Sequence, residues 1–369
     1  MTTSESTTRL QEFIKLTLPW AHGHQVKSIA TFVAAIIEKQ TGCQAQLARS
    51  QGNQEAACKR LSRLIHNERL RPKDFAKWLC RRALEQTPRT GKVRVTIDWT
   101  SEDDQHLLVI SLVVGRRALP IFWRAYSQAA LKGRMKRYEL AVVKSAFRLI
   151  FDYVQPRRIR LTADRGFADD GLLELLDQLK INYILRVKGN VKVFWDGHWT
   201  KLHQLRFIGN SRRRNLGRLY YCERSPRRMW MTMSRARDKQ GNWGIWYLVS
   251  NQPRRAKHAA AEYCYRFDCE EGFRDIKWGL GFSQARVRQI DAWSRLFALF
   301  AIALLALTTV GLRLLMRGEL QDRLHQVASR RRNRRELSLV TAVIALIQKD
   351  RTLFESLSAR TKLILDYAL

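Results

Sequence analysis

The sequence predicts a mixed α/β domain with helical regions before and after it. Three observations carry that reading. Apolar residues recur at three- and four-residue steps up to about residue 88, as on amphipathic helices. From Val93 the apolar residues alternate, and stretches of both periods then follow one another, as in a sheet interleaved with helices. From His258 to the end the pattern is helical again.

The elements follow in order. "RLQEFIKLTLPWA" and "QVKSIATFVAAIIEKQTG" read as helices, with Gly42 as the stop of the second. A short helix over Gln44 to Ser50, a turn at Gly52-Asn53 and a helix over Gln54 to His66 make a helix-turn-helix pattern. Lys59, Arg60 and Arg63 lie on its second helix, where a DNA reader places cations; a solvated helical hairpin would look the same. Three strands follow: "VRVTIDW", "HLLVISLVVG" and "LPIFWRA". Lys136 to Val154 reads as a helix, "RRIRLTADRGF" as a strand ending at Asp164, "ADDGLLELLDQL" as a helix and "INYILRVK" as a strand. Residues 189–255 are short-period, β-like and rich in Trp and Arg. This divides the chain into a helical region at 1–88, an α/β domain at 89–317 and a helical C-terminal region at 318–369.

Charge narrows the partners. Sixty-seven Lys and Arg stand against 33 Asp and Glu, a net +34, and the excess is not confined to one tail. Between Arg206 and Lys239 there are eleven basic residues and two acidic ones. A folded chain this cationic has a polyanion as its natural partner, nucleic acid first and an anionic membrane second. "RRRNRR" at 330–335 is the densest basic cluster, either a solvated face or a phosphate contact. The uncharged run Leu296 to Leu312 has 17 residues, short of the roughly 20 of a membrane span, and reads as a helix buried on all sides. The polar start of the chain carries no signal-peptide pattern, so the expectation is a cytoplasmic protein with no membrane. Six cysteines without a C-x-x-C pair, and eight histidines off zinc spacing, read as free and mostly buried thiols in a reducing compartment.

Three acids stand out by placement. Asp98 and Asp164 each lie at the carboxyl end of an expected strand, where mixed sheets place sites. On neighbouring strands the two carboxylates would repel, and a hard divalent cation, Mg²⁺ or Mn²⁺, would relieve that. A strand-end Asp alone is more often a turn or cap. The third acid comes from "AAAEYCYRFDCEEGFRDIKWGLGF", residues 259–282. At about 100° per residue, Tyr263, Arg266, Glu270 and Lys277 share one helix face and Glu271 is turned away. The competing reading is ion pairing along the helix, such as Arg266 with Glu270.

The pattern Y-x2-R-x3-E-x6-K formed by Tyr263, Arg266, Glu270 and Lys277 resembles the YREK signature of bacterial insertion-sequence DDE transposases, similar to those of transposons ten and five. "IDWT" with Asp98, "ADRGF" with Asp164 and the intervals of 66 and 106 residues agree with it, as do "GLGF" and "RLSRLIHNERL". The resemblance implies a ribonuclease-H-like core with a β-rich insertion before the glutamate helix. It implies two Mg²⁺ or Mn²⁺ ions per active site on Asp98, Asp164 and Glu270, with Tyr263, Arg266 and Lys277 on DNA phosphates. It implies cleavage at transposon ends, with a hairpin intermediate in the transposon-five and -ten kind, and 3′-OH strand transfer into target DNA. A homodimer would hold two ends in the synaptic complex, through the C-terminal region. The protein would be nucleoid-associated when bound to DNA. Trp246 matches the tryptophan that stacks on a flipped base, although an ordinary core tryptophan would look alike, and Trp195, Trp199, Trp230 and Trp243 lie in the same region. Two other functions stay open: a structure-specific endonuclease without transposition, and a non-catalytic DNA-binding protein. Joined products separate the first from a transposase, and activity that survives metal chelation marks the second.

Overall fold

The computed structural model describes residues 3–15, 18, 20–87, 90–237, 241–320, 338–350, 352–353 and 357. The basic cluster at 330–335 lies outside the described residues. The chain forms two compact units. The first holds Met1–Arg89, Trp99–Lys132 and Glu270–Leu369; the second holds Thr90–Asp98 and Gly133–Cys269.

The first unit is helical around one buried helix. It contains α1 (Thr3–Lys15), α2 (Gly23–Lys39), α3 (Gln44–Arg49), α4 (Gln54–His66) and α5 (Pro72–Leu84). Strand β1 (Val93–Glu102) enters this unit at Trp99 and is followed by β2 (Gln105–Val114) and β3 (Arg117–Ser127), in the order β3-β2-β1. The short α6 (Gln128–Leu131) closes the segment.

The chain returns to this unit within α10 (Phe267–Arg274), then makes α11 (Ile290–Met316) and α12 (Leu339–Lys349). Helix α11 is long and apolar enough to cross a membrane by composition, and almost all of it is buried. It packs on α2, α4, α5, β3 and α12, as expected of an all-round apolar helix inside a protein core. Its buried Arg295 donates to the carbonyls of Ile65 and Leu70, at 3.1 and 3.0 Å, which satisfies acceptors at and beyond the end of α4.

The second unit is built on a sheet in the order β1-β4-β5-β10-β9-β8-β6-β7. Its further strands are β4 (Ile159–Ala163), β5 (Asn182–Val187), β6 (Lys192–Trp195), β7 (His198–Lys201), β8 (Arg213–Tyr221), β9 (Arg227–Arg237) and β10 (Trp243–Ser250). Helices α7 (Met135–Phe151), α8 (Asp170–Gln178) and α9 (Ala256–Tyr263) accompany them. Strands β1, β4 and β5 run parallel, while β10 is antiparallel to both β5 and β9. The sheet is therefore mixed, with flanking helices. The β-like residues 189–255 continue this sheet through β10 instead of forming a layer of their own. Helix α9 lies on the sheet, in contact with β4, β5, β8, β9 and β10.

Several expectations are corrected. Helix α2 stops at Lys39, where Gln40 takes the left-handed cap (φ 50°), and not at Gly42. Gly42 is needed for another reason: a Cβ there would stand 2.7 Å from the Gly281 carbonyl oxygen. Helix α3 ends at Arg49, and α7 ends at Phe151 instead of Val154. The region after His258 is not uniformly helical. The α9 helix passes through a 3₁₀ turn (Cys264–Arg266) into α10, then into a π-helical stretch (Asp275–Gly279). The cysteines are free, but only Cys80 and Cys269 are buried; the other four are half-buried.

Candidate active site

Register, not proximity in sequence, brings the two aspartates together. Strand β1 pairs with β4 in parallel, with Val95 opposite Leu161 and Ile97 opposite Ala163. Asp98 and Asp164 are the next residue on each strand, just past the last registered pair, so they lie on adjacent parallel strands. Strand β4 ends there as expected, but β1 runs on to Glu102 to pair with β2, so Asp98 lies within its strand and not at the carboxyl end expected from the sequence. The apolar residues before them, Ile97 and Ala163, are fully buried and anchor both strands at this point, while both aspartates stay half-exposed.

Helix α9 and the turn after it reach the two aspartates. The Tyr263 hydroxyl donates to Asp164 Oδ1 at 3.2 Å. Arg266 Nη1 donates to Asp98 Oδ2 at 3.2 Å. Two adjacent carboxylates thus meet one phenol and one guanidinium, and the guanidinium supplies a positive charge against their mutual repulsion. The expected partners of Tyr263 and Arg266 were DNA phosphates; in this structure their polar ends are on the aspartates.

Several residues that sequence reasoning missed surround α9. Glu262 is buried and pairs with Arg94 of β1 at 2.8 Å, and the Arg94 guanidinium lies 4.0 Å from the centre of the Tyr265 ring. Asn215 of β8 accepts from the Ala256 N–H at 2.6 Å, at the first residue of α9. Phe267 completes an aromatic cluster. Trp246 of β10 meets Tyr263 edge-on at 5.1 Å between ring centres and Phe267 at 5.6 Å. Trp246 is therefore a partly buried neighbour of the Tyr263 ring. Only the Glu–Arg pair had a sequence signal, an acid placed on an otherwise apolar helix face.

Burial holds the Tyr263 phenol well above the ordinary value of 10.0, and the Asp164 charge adds to the effect. Burial does the same to Tyr183 and Tyr221 in this unit. Each phenol keeps its proton in the folded state at a pH where the unfolded chain releases it. The stability tied to these protons is complete below pH 10 and is lost as pH rises above it. Urea unfolding followed upward from pH 10 is expected to weaken by about 1.4 kcal/mol per pH unit for each such tyrosine. Tyr263→Phe should remove one share of that slope. A slope equal to that of the parent protein would contradict the assignment.

In the first unit, Glu270 and Lys277 occupy the last part of the same motif. Gly272 lets α10 approach β3: a Cβ there would stand 2.6 Å from the Ala118 carbonyl oxygen. Glu270 sits two residues before this contact and is half-exposed. Glu271 pairs with Arg274 at 2.8 Å, three residues on. Lys277 pairs with Glu102 at 2.8 Å and donates to the Ser101 carbonyl at 2.6 Å, both at the end of β1. Asp275, buried and raised by that burial, pairs with Arg117 at 3.0 Å and accepts from Ser338. The π-helical stretch between Asp275 and Gly279 changes the turn angle that a regular helix would give Lys277. In the helix-turn-helix segment, Lys59, Arg60 and Arg63 are exposed on α4, while Leu61, Leu64 and Ile65 are buried. Lys59 pairs with Glu55 at 2.6 Å, an exposed i,i+4 contact of small weight.

The donor set of the aspartate pair is hard oxygen on adjacent strands, which suits a divalent cation of the Mg²⁺ type. Among the described residues, no group of three or more His, Cys, Asp or Glu side chains is placed to hold a metal ion.

A mixed sheet with paired aspartates on adjacent parallel strands defines a class of site suited to metal-assisted phosphoryl chemistry. The comparison with known families points the same way: residues 135–306 match the transposase DDE domain. The match supports a DDE-type transposase, an enzyme that acts on DNA, and the mixed sheet is consistent with the ribonuclease-H-like core of such enzymes. DDE transposases generally use divalent metals. The matched span takes in Asp164 and Glu270 and begins after Asp98. No curated protein matches the chain.

Proposed function

We propose that the protein is a cut-and-paste DNA transposase of the YREK group, similar to those of transposons ten and five. The observation that carries the proposal is the pair Asp98 and Asp164, each next after the last registered pair Ile97 and Ala163, in a chain whose residues 135–306 match the transposase DDE domain. In this reading Asp98, Asp164 and Glu270 are the catalytic carboxylates and would hold two Mg²⁺ or Mn²⁺ ions. Such ions supply a deprotonated water or 3′-OH and charge stabilisation at the leaving oxygen of an in-line displacement at phosphorus.

The chain's own residues do the rest. Arg266 and Tyr263 orient the aspartates through their hydrogen bonds, and would be the motif's first two contacts to the scissile strand's phosphates. Lys277 anchors the end of β1 and is the third phosphate contact of the motif. Trp246, packed against Tyr263, is the tryptophan that takes an unstacked base if the end passes through a hairpin. Lys59, Arg60 and Arg63 bind the terminal inverted repeat from the exposed side of α4. In functional terms the chain divides into the DNA-binding region 1–88, the catalytic region 89–317 with its insertion at 189–255, and the C-terminal region 318–369, which joins two copies at the synapsed ends. The site of action is the nucleoid of a bacterial cytoplasm, with no role for a membrane.

The test is incubation with a supercoiled donor bearing matched inverted repeats, a target plasmid and Mg²⁺. Excised fragment and joined product are expected. Cleavage without joining supports the endonuclease reading instead. DNA binding with no cleavage, insensitive to chelation, supports a non-catalytic binding protein.

A further inference from the structure

The two faces of β10 do different things. Trp246 is paired with Ser234 of β9 and points to the face where α9 and Tyr263 lie. Trp243, three residues earlier, points to the other face, as the two-residue period of a strand requires. It is paired with Arg237, and Ile245 on the same face is paired with Arg235. This end of the face is open: Trp243 is 52% exposed, and Arg212, Arg235 and Arg237 are all exposed.

The arginines here are arranged around the rings. The Arg237 guanidinium lies 4.7 Å from the centre of the Trp243 ring, and that of Arg212 lies 5.3 Å from the same ring. The Arg235 guanidinium lies 4.9 Å from the centre of the Phe207 ring. A backbone hydrogen bond of 2.8 Å from Arg235 N–H to the Arg212 carbonyl ties Arg212 to this end of the sheet. A guanidinium laid on an aromatic face loses rotamer freedom but keeps its edge N–H donors, which are the groups that bind phosphate. Charge settles the partner's sign: from Arg206 to Arg237 the sequence has ten basic residues and one acid, Glu223.

We propose that the face of Arg212, Arg235, Arg237 and Trp243 is a second DNA-binding surface, which grips the phosphodiester backbone of duplex DNA without reading its sequence. Trp243 is a positioning residue that holds two guanidinium groups ready for phosphate. The surface lies on the opposite side of β10 from Trp246, so it takes a segment of DNA other than the one at the aspartates. The proposal rests on DNA being the substrate.

The experiment is fluorescence anisotropy of the full chain on a labelled duplex of unrelated sequence, over a series of NaCl concentrations. R212A/R237A is expected to reduce the slope of log affinity against log salt by about 1.8, two contacts at about 0.9 each. W243A should weaken binding in the same direction, and W243F, which keeps a ring under the arginines, should bind nearly as the parent does. A slope in R212A/R237A equal to the parent's overturns the proposal, as does full binding by W243A; either result would leave an acidic protein as the partner of this face. If K59A/R60A/R63A lowers the slope while R212A/R237A does not, the transposase reading stands and only this surface falls. If the parent shows no salt-dependent binding, both fall.

Discussion

Asp98→Ala and Asp164→Ala will each reduce excision by on the order of a thousandfold or more, while DNA binding and folding persist. The magnitude follows from the chemistry: charge stabilisation by a bound cation is worth several kcal/mol at the transition state, and each 1.4 kcal/mol is about a factor of ten in rate. Binding persists because both residues are half-exposed, outside the core formed by Ile97, Leu161 and Ala163. Each substitution also strands a donor, Arg266 beside Asp98 and Tyr263 beside Asp164. Asp→Asn variants keep an acceptor for those donors and lose the negative charge. They should fold like the parent and be as inactive as the alanine variants. Glu270→Ala is expected to show the same loss. Excision at the parent's rate in all three alanine variants would contradict the assignment.

The second large effect is on stability. The motif "GLGF" has two glycines with different reasons to be there. Gly281 has φ +83°, and a Cβ on it would overlap the Gln40 carbonyl and stand 2.6 Å from Thr41 Cα. These are backbone atoms and cannot swing away. Thr41 is fixed further by its hydrogen bond to Gln284 at 2.6 Å, so α2's end and the 281–284 turn are locked together. Gly281→Val adds backbone strain and overpacking, each of order 1–3 kcal/mol, about 2–6 kcal/mol in all. A fall in melting temperature of roughly 2–4 °C for each kcal/mol follows for a body of this size. Gly279 is the control. Its nearest neighbour to a Cβ is 3.9 Å away and its φ is negative. Gly279→Ala should stay within about 0.5 kcal/mol of the parent. Equal stability of the two variants would show that the 281–284 turn does not depend on the close approach.

Much of this arrangement is legible in the sequence where it depends on local period and strand ends. The alternation of Val93, Val95 and Ile97 marks β1, and that of Ile159, Leu161 and Ala163 marks β4, so Asp164 falls at a strand end from pattern alone, whereas the continuation of β1 past Asp98 to Glu102 was not legible. That the two aspartates are neighbours depends on pairing between segments more than sixty residues apart, which no local pattern encodes. The partners of Tyr263 and Arg266 were out of reach for the same reason: α9 reaches the aspartates by packing on the sheet. The 3₁₀ turn at Cys264–Arg266 and the π-helical stretch at Asp275–Gly279 were also hidden, because the apolar period that marks a helix does not distinguish i+3, i+4 and i+5 hydrogen bonding over so few residues. What selects the π stretch is tertiary: Asp275 at its start is held by Arg117 and Ser338. The same holds for β10. Its sequence reads as one more strand of an insertion, and only pairing with β5 makes it part of the main sheet.

The central claim is that Asp98 and Asp164 act together on a divalent cation. Electron paramagnetic resonance of Mn²⁺ titrated into the full-length protein tests it directly, with D98N and D164N alongside. Bound Mn²⁺ in the parent and its loss in either variant is the expected result. Undiminished Mn²⁺ binding in both variants would contradict the account.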